Sequence, residues 1–168
     1  ENLHPVQLSP HIDRSPVDLA LSPDGLWLAT VNETSDSVSL INTQNHQVVD
    51  EVSCGWHPAD VEFCPDGHTL VVSGAWSGDV TLLQLHNARL QRGASIQTGF
   101  EPCGLAVTPD GSRAFVGLVA TGQVAEIGFL PFISIMAYIS ISLGLINLFP
   151  IPLLDGGHLM FYAFEKIL

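Results

Sequence analysis

One carboxylate stands out by its position. Residues 127–154 are 28 consecutive positions without a charged side chain, and the next residue is Asp155. It lies within Asn147-Leu148-Phe149-Pro150-Ile151-Pro152-Leu153-Leu154-Asp155-Gly156-Gly157-His158. An ionisable group at the end of an uncharged run long enough to cross a bilayer is a functional hypothesis by default. Carboxylate oxygen ligates zinc, and a catalytic zinc takes three protein ligands plus a water. The prolines and glycines break a helix here, and broken helices at membrane depth occur only where protein or a water-filled cavity surrounds them. The break also offers free backbone groups to an extended peptide. The plainer reading of Asp155-Gly156-Gly157 is a turn and N-cap that opens the next helix.

The pattern Asn-x-x-Pro-x-Pro-x-Leu-Asp-Gly-Gly-His resembles the second signature of the site-2 protease family of intramembrane zinc metalloproteases, and the resemblance covers roughly residues 129–168. It implies that Asp155 is a zinc ligand and that Asn147, Pro150, Pro152 and Gly156 lie against the substrate. The implied reaction is hydrolysis of a peptide bond within the membrane by zinc-activated water. The family draws its other two zinc ligands and its general base from a His-Glu-x-x-His helix. No such motif exists here: His4, His11, His46, His57, His68, His86 and His158 include no two that are four apart. The PDZ module of many family members is absent as well. One carboxylate does not hold a catalytic zinc. The expectation is that this chain alone binds no stoichiometric zinc and cleaves nothing. His158 reads as a helix-start residue rather than a ligand.

These residues need elements to position them. Residues 132–149 number 18, which as an α-helix span about 27 Å, close to the roughly 30 Å hydrocarbon core. Their apolar side chains lie all round, and Ser134, Ser140, Ser142 and Gly144 would let a neighbouring helix approach. A second helix starts at Gly157 and runs to the last residue. Lys166 lies beyond the apolar run and the acidic part precedes it. That polarity, with the family resemblance, implies a bacterial-type inner membrane with the preceding domain on the extracytoplasmic side.

The preceding part is repetitive. Ser15-Pro16-Val17-Asp18-Leu19-Ala20-Leu21-Ser22-Pro23-Asp24-Gly25 returns as His57-Pro58-Ala59-Asp60-Val61-Glu62-Phe63-Cys64-Pro65-Asp66-Gly67 and as Glu101-Pro102-Cys103-Gly104-Leu105-Ala106-Val107-Thr108-Pro109-Asp110-Gly111, at steps of 42 and 44 residues. In each copy a short alternating strand runs into Pro-Asp-Gly, where proline presets φ and glycine tolerates positive φ. Further strands are predicted at 26–31, 37–41 and 47–52, at 69–73, 78–83 and 90–96, and at 114–119 and 122–127. Four strands per unit of about 40–45 residues is the pattern of a β-propeller blade. The repeats resemble the YVTN-type family of bacterial propellers over residues 14–127, a resemblance informative about fold and weak about function.

The expected fold class is therefore mainly β: an incomplete β-propeller of about three four-stranded repeats, then a transmembrane helix and a truncated second helix. The expected organisation is an irregular lead-in over 1–13, repeats at 14–56, 57–100 and a partial 101–127, and the membrane segment at 128–168. The third repeat meets the apolar run in mid-unit, which marks a fragment or a chimera of two unrelated genes.

Composition narrows the partners. Net charge is −12, and the bases are Arg14, Arg89, Arg92, Arg113 and Lys166. Phosphate neutralisation needs clustered Lys and Arg, so nucleic acid is excluded as a partner. Expected partners are the membrane, a protein or peptide substrate, and something that covers the open propeller edge. Cys54, Cys64 and Cys103 have no Cys-x-x-Cys spacing and read as small buried thiols. Asp24, Asp66 and Asp110 recur at Pro-Asp-Gly and read as turn residues rather than calcium ligands. Trp27, Trp56 and Trp76 read as packing between blades. The alternative to a protease piece is a membrane-tethered, extracytoplasmic propeller scaffold without catalysis.

Overall fold

The computed structural model describes residues 14–128. Eleven strands form three antiparallel sheets, and no helix occurs among the described residues. The first sheet is β1 (Pro16–Leu21), β2 (Trp27–Asn32), β3 (Ser37–Asn42) and β4 (Gln47–Ser53), hydrogen-bonded in that order. The second is β5 (Pro58–Phe63), β6 (Thr69–Gly74), β7 (Asp79–His86) and β8 (Arg89–Gln97). The third is β9 (Pro102–Val107), β10 (Arg113–Leu118) and β11 (Gln123–Gly128), with β10 in the middle. The strands fall where the alternation places them, and each repeat is one meander. The expected membrane helix, its successor and the lead-in over 1–13 lie outside the described residues.

The turn after the first strand of each sheet is built the same way. Gly25, Gly67 and Gly111 have φ of 72°, 70° and 68°, which an L side chain rarely adopts. Their N–H groups donate to the carbonyls of Ser22, Cys64 and Thr108 at 2.8, 3.0 and 2.8 Å. The aspartate beside each glycine accepts backbone N–H bonds inside its own turn: Leu26 to Asp24 at 3.0 Å, His68 and Thr69 to Asp66 at 2.8 Å, and Ser112 to Asp110 at 3.1 Å. Hydrogen bonds from the Thr108 hydroxyl and from Ser112 hold the Asp110 carboxyl down to about 2. These carboxylates are occupied by turn chemistry.

The second sheet explains why β6 is apolar without alternation. Leu70, Val72, Leu83 and Leu85 face the first sheet and pack with Ala29, Val31, Val38 and Leu40. Val71 and Val80 pack with Ala114, Val116, Leu118 and Ile127 of the third sheet. A sheet covered on both faces reads as a continuous hydrophobic run. The first sheet lacks such cover on one side: Val17, Leu19 and Leu21 alternate along β1 and are about half exposed or more.

Backbone-to-carboxylate bonds tie neighbouring sheets. Val61 N–H donates to Asp18 at 3.0 Å, Leu105 N–H to Asp60 at 2.6 Å, and Leu90 N–H to Asp50 at 2.7 Å. Asp18 and Asp60 occupy the same repeat position, and each caps the innermost strand of the next sheet. In the third repeat that position is Gly104, so the device stops there.

Candidate functional site

Asp155, Asn147, Pro150, Pro152 and Gly156 all lie outside the described residues, so the structure brings none of them together. Among the described residues no group of three His, Cys, Asp or Glu side chains could hold a metal ion. Nor, among them, is any helix long and apolar enough to cross a membrane. The sequence given contains no His-Glu-x-x-His.

Two constellations in the sheets carry chemistry. The first is the pair Asp18 and Asp60. Burial, and then the hydrogen bond it makes with Asp18, push the Asp60 carboxyl up to about 7. Burial works against ionisation of Asp18 too, but the hydrogen bond from Asp60 and the N–H groups of Val61 and Leu19 hold it below the usual carboxylate range. Of the two carboxyls, Asp60 is therefore the more readily protonated and Asp18 the more readily ionised. Like charges this close do not both ionise readily.

The second lies at the end of the sheets opposite the Pro-Asp-Gly turns. In each repeat the turn after the second strand bonds back to the residue preceding the first. Glu33 N–H donates to the Ser15 carbonyl at 3.1 Å, Ala75 to His57 at 3.0 Å, and Val119 to Glu101 at 3.1 Å. Ser15, His57 and Glu101 hold positive φ of 44°, 53° and 53°, so the same kink enters every sheet. At the entry to the second sheet this brings the His57 and Trp76 rings together with Glu33 of the preceding repeat. The His57 imidazole stacks on Trp76, with centroids 4.0 Å apart and planes 14° from parallel. Its Nδ1 is 2.9 Å from Glu33 Oε1, and its backbone N–H donates to Asp36 Oδ1 at 2.7 Å. Trp76 N–H donates to the Trp56 carbonyl at 3.1 Å, and Trp56 N–H to Ser77 Oγ at 3.0 Å.

This corrects the expectation for two tryptophans. Trp27 packs against the core between the first two sheets. Trp56 is 68% and Trp76 72% exposed, so neither packs between blades. Both sit in turns at strand ends, outside the alternation that marks core positions. The Asp18–Asp60 tie was also legible only in part: the matching aspartates show in the repeat alignment, but their reach into the next sheet does not. At the opposite end, a groove of about 250 Å³ runs between the lower turns, lined by Asp24, Trp27, Gly67, His68, Leu85 and His86 among others.

Residues 102–168 match Peptidase family M50. The C-terminal resemblance to the site-2 proteases thus stands on a second, independent comparison. Among curated relatives, Regulator of sigma-E protease RseP of Escherichia coli is 56% identical over 46 residues, which are 27% of this chain and 10% of that one. Atu1380 of Agrobacterium fabrum, provisionally named a zinc metalloprotease, is 54% identical over 48 residues, 29% of this chain and 13% of that one. The chain therefore spans about a tenth of these relatives.

Solved structures resemble the other part. Hydrazine synthase of Kuenenia stuttgartiensis aligns with a TM-score of 0.64 and 26% identity, over 71% of this chain and 35% of that one. A provisionally assigned 6-phosphogluconolactonase of Bacteroides fragilis aligns at 0.59 and 20% identity, over 68% of this chain and 38% of that one. These neighbours are propeller-like. The two resemblances overlap: the M50 match begins at Pro102, the first residue of β9, and runs through the whole third sheet.

Proposed function

We propose that this chain joins an arc of propeller blades to the zinc-aspartate segment of a membrane-embedded metalloprotease. The match of residues 102–168 to Peptidase family M50, which contains the motif at Asn147–His158, carries the reading. In a complete protein of this type, bound zinc activates water for hydrolysis of a peptide bond within the membrane. Asp155 is one of its three ligands. Asn147, Pro150, Pro152 and Gly156 form the loop along which an extended substrate strand lies. Residues 132–149 span a bacterial-type inner membrane, and the repeats stand on its extracytoplasmic side. The chain lacks the two histidines and the general base, so by itself it is inactive.

The sheets are the interaction module of this reading. The first exposes Val17, Leu19 and Leu21 on the side away from the second sheet. A further blade fits this face, because Asp18 and Asp60 already tie each blade to the next through one backbone N–H. The junction between the two parts falls between Pro102, where the M50 match begins, and Phe129. β11 lies within that match and completes the third sheet by pairing with β10 from Arg113↔Gly128 to Leu118↔Gln123.

Alkaline carbonate extraction of membranes from expressing cells tests the reading. Retention in the pellet supports it, and release into the soluble fraction sinks the membrane assignment. The second reading, a tethered scaffold without catalysis, draws on the exposed aromatic cluster at Trp56 and Trp76. Genomic sequence upstream separates the two: His-Glu-x-x-His there favours the protease, and more 42–44-residue repeats favour the scaffold.

A further inference from the structure

In the cluster at Glu33, Trp56, His57 and Trp76, the Glu33–His57 contact joins the first two sheets, whereas the two indoles stand outside the core. A solvent-exposed indole of this size contributes most when something packs on it, and exposed aromatics are enriched at binding hot spots. One face of the Trp76 ring is covered by the His57 imidazole. At 72% exposure the rest of the side chain, including the other face, is open to solvent. The third repeat places Phe100, also exposed, at the position of Trp56, so the aromatic rim continues past one sheet.

The surroundings select the ligand. The nearby polar atoms are engaged within the protein: Ser77 Oγ donates to Asp79 and accepts from Trp56 N–H, while Asp36 Oδ1 accepts from His57 N–H. A sugar stacked on the indoles would find few free partners for its hydroxyls. A cation needs none of them. It needs the negative face of an aromatic ring and a nearby carboxylate. Glu33 supplies the carboxylate, partly exposed and joined to the stack through His57. The field agrees, since residues 1–127 hold 15 of the 17 acidic residues and four of the five basic ones. Of those four, Arg14 is buried against Glu51.

We propose that this rim binds an arginine- or lysine-bearing extended segment of another protein, with the cation over the open face of Trp76 and its charge matched by Glu33. The proposal goes beyond the protease reading and stands independently of it.

Fluorescence anisotropy of a labelled Arg-Gly-Arg-Gly-Arg-Gly peptide, titrated with the full chain in detergent micelles, tests it. Saturable binding is expected, and the matching Glu-Gly peptide should not bind. A cation–π contact at an exposed site corresponds to about 2–5-fold in affinity. Trp76→Ala should therefore weaken binding about 2–5-fold, and the double variant W56A/W76A about tenfold. Trp76→Phe should restore most of the loss, and Glu33→Gln should weaken binding and flatten its salt dependence. Because both indoles are exposed, these variants keep the wild-type melting temperature. Equal binding by wild type and W56A/W76A would reduce the effect to general charge attraction and overturn the proposal. So would tighter binding of maltohexaose than of the basic peptide, or no saturable binding of the peptide at all.

Discussion

Replacing Asp60 by Asn should stabilise the sheets at pH 8 and do so only about a third as much at pH 5. The Asp60 carboxyl titrates near 7 in the folded chain, pushed up by burial and by its hydrogen bond to Asp18. In the unfolded chain it titrates near 3.9. Between those values the folded state holds a proton that the unfolded state has released. Stability from this site is complete below about pH 4 and is lost as pH rises through 7. Three units correspond to about 4 kcal/mol if none of it is screened. The carboxyl is only half-buried, so solvent screening reduces this to about 2 kcal/mol. Asn keeps an oxygen for the Leu105 N–H and an NH2 for Asp18, and it never has to ionise. For a body of this size 2 kcal/mol is roughly 8 °C in melting temperature. All three tryptophans lie within residues 14–128, so the fluorescence melt of the whole chain reports this body alone. A gain at pH 8 that shrinks to about a third at pH 5 is expected. An equal shift at both pH values, or a loss at pH 8, would refute the reasoning.

Other perturbations have opposite signs. Leu83→Ala empties a fully buried site between the first two sheets and should cost about 2–5 kcal/mol in chemical denaturation, whereas Leu19→Ala on the open face should stay within about 0.5 kcal/mol. Gly111→Ala forces a Cβ onto φ +68°, where it meets Pro65 Cδ at 3.4 Å; a loss of about 1–2 kcal/mol is expected by the same assay. Glu51 accepts from Arg14 at 2.6 Å and from Ser37 at 2.7 Å, and the Arg14 bond foremost holds its carboxyl below the ordinary range. That stability is present above the ordinary carboxylate pKa and lost as pH falls, so wild type should weaken between pH 6 and 3 more steeply than Glu51→Gln in parallel melts.

The strands were legible because the repeat states each of them three times with its turn. Val17, Leu19 and Leu21 alternate before Pro23-Asp24-Gly25, and the turn glycine is the residue that its φ demands. The doubly covered second sheet also shows in the sequence, as the run Leu70-Val71-Val72. What the sequence hid is contact between repeats. Asp18 and Asp60 look like surface charges on an alternating strand, and only the stacking of sheets carries them to the next backbone N–H. The Trp56 and Trp76 turns were misread for the same reason: composition favours burial of an indole, while a kinked strand entry at His57 turns this pair outward. The motif around Asp155 was legible as chemistry rather than as geometry, since its residue types and spacing match a metalloprotease loop whatever the packing around it.

Metal content of the purified full-length chain, measured beside Asp155→Ala after exposure to zinc and desalting, tests the central claim most directly. A chain that carries one ligand of a three-ligand site should retain far less than one zinc per molecule, and the substitution should change nothing. One zinc per chain that Asp155→Ala removes, accompanied by cleavage of a membrane peptide, would contradict it.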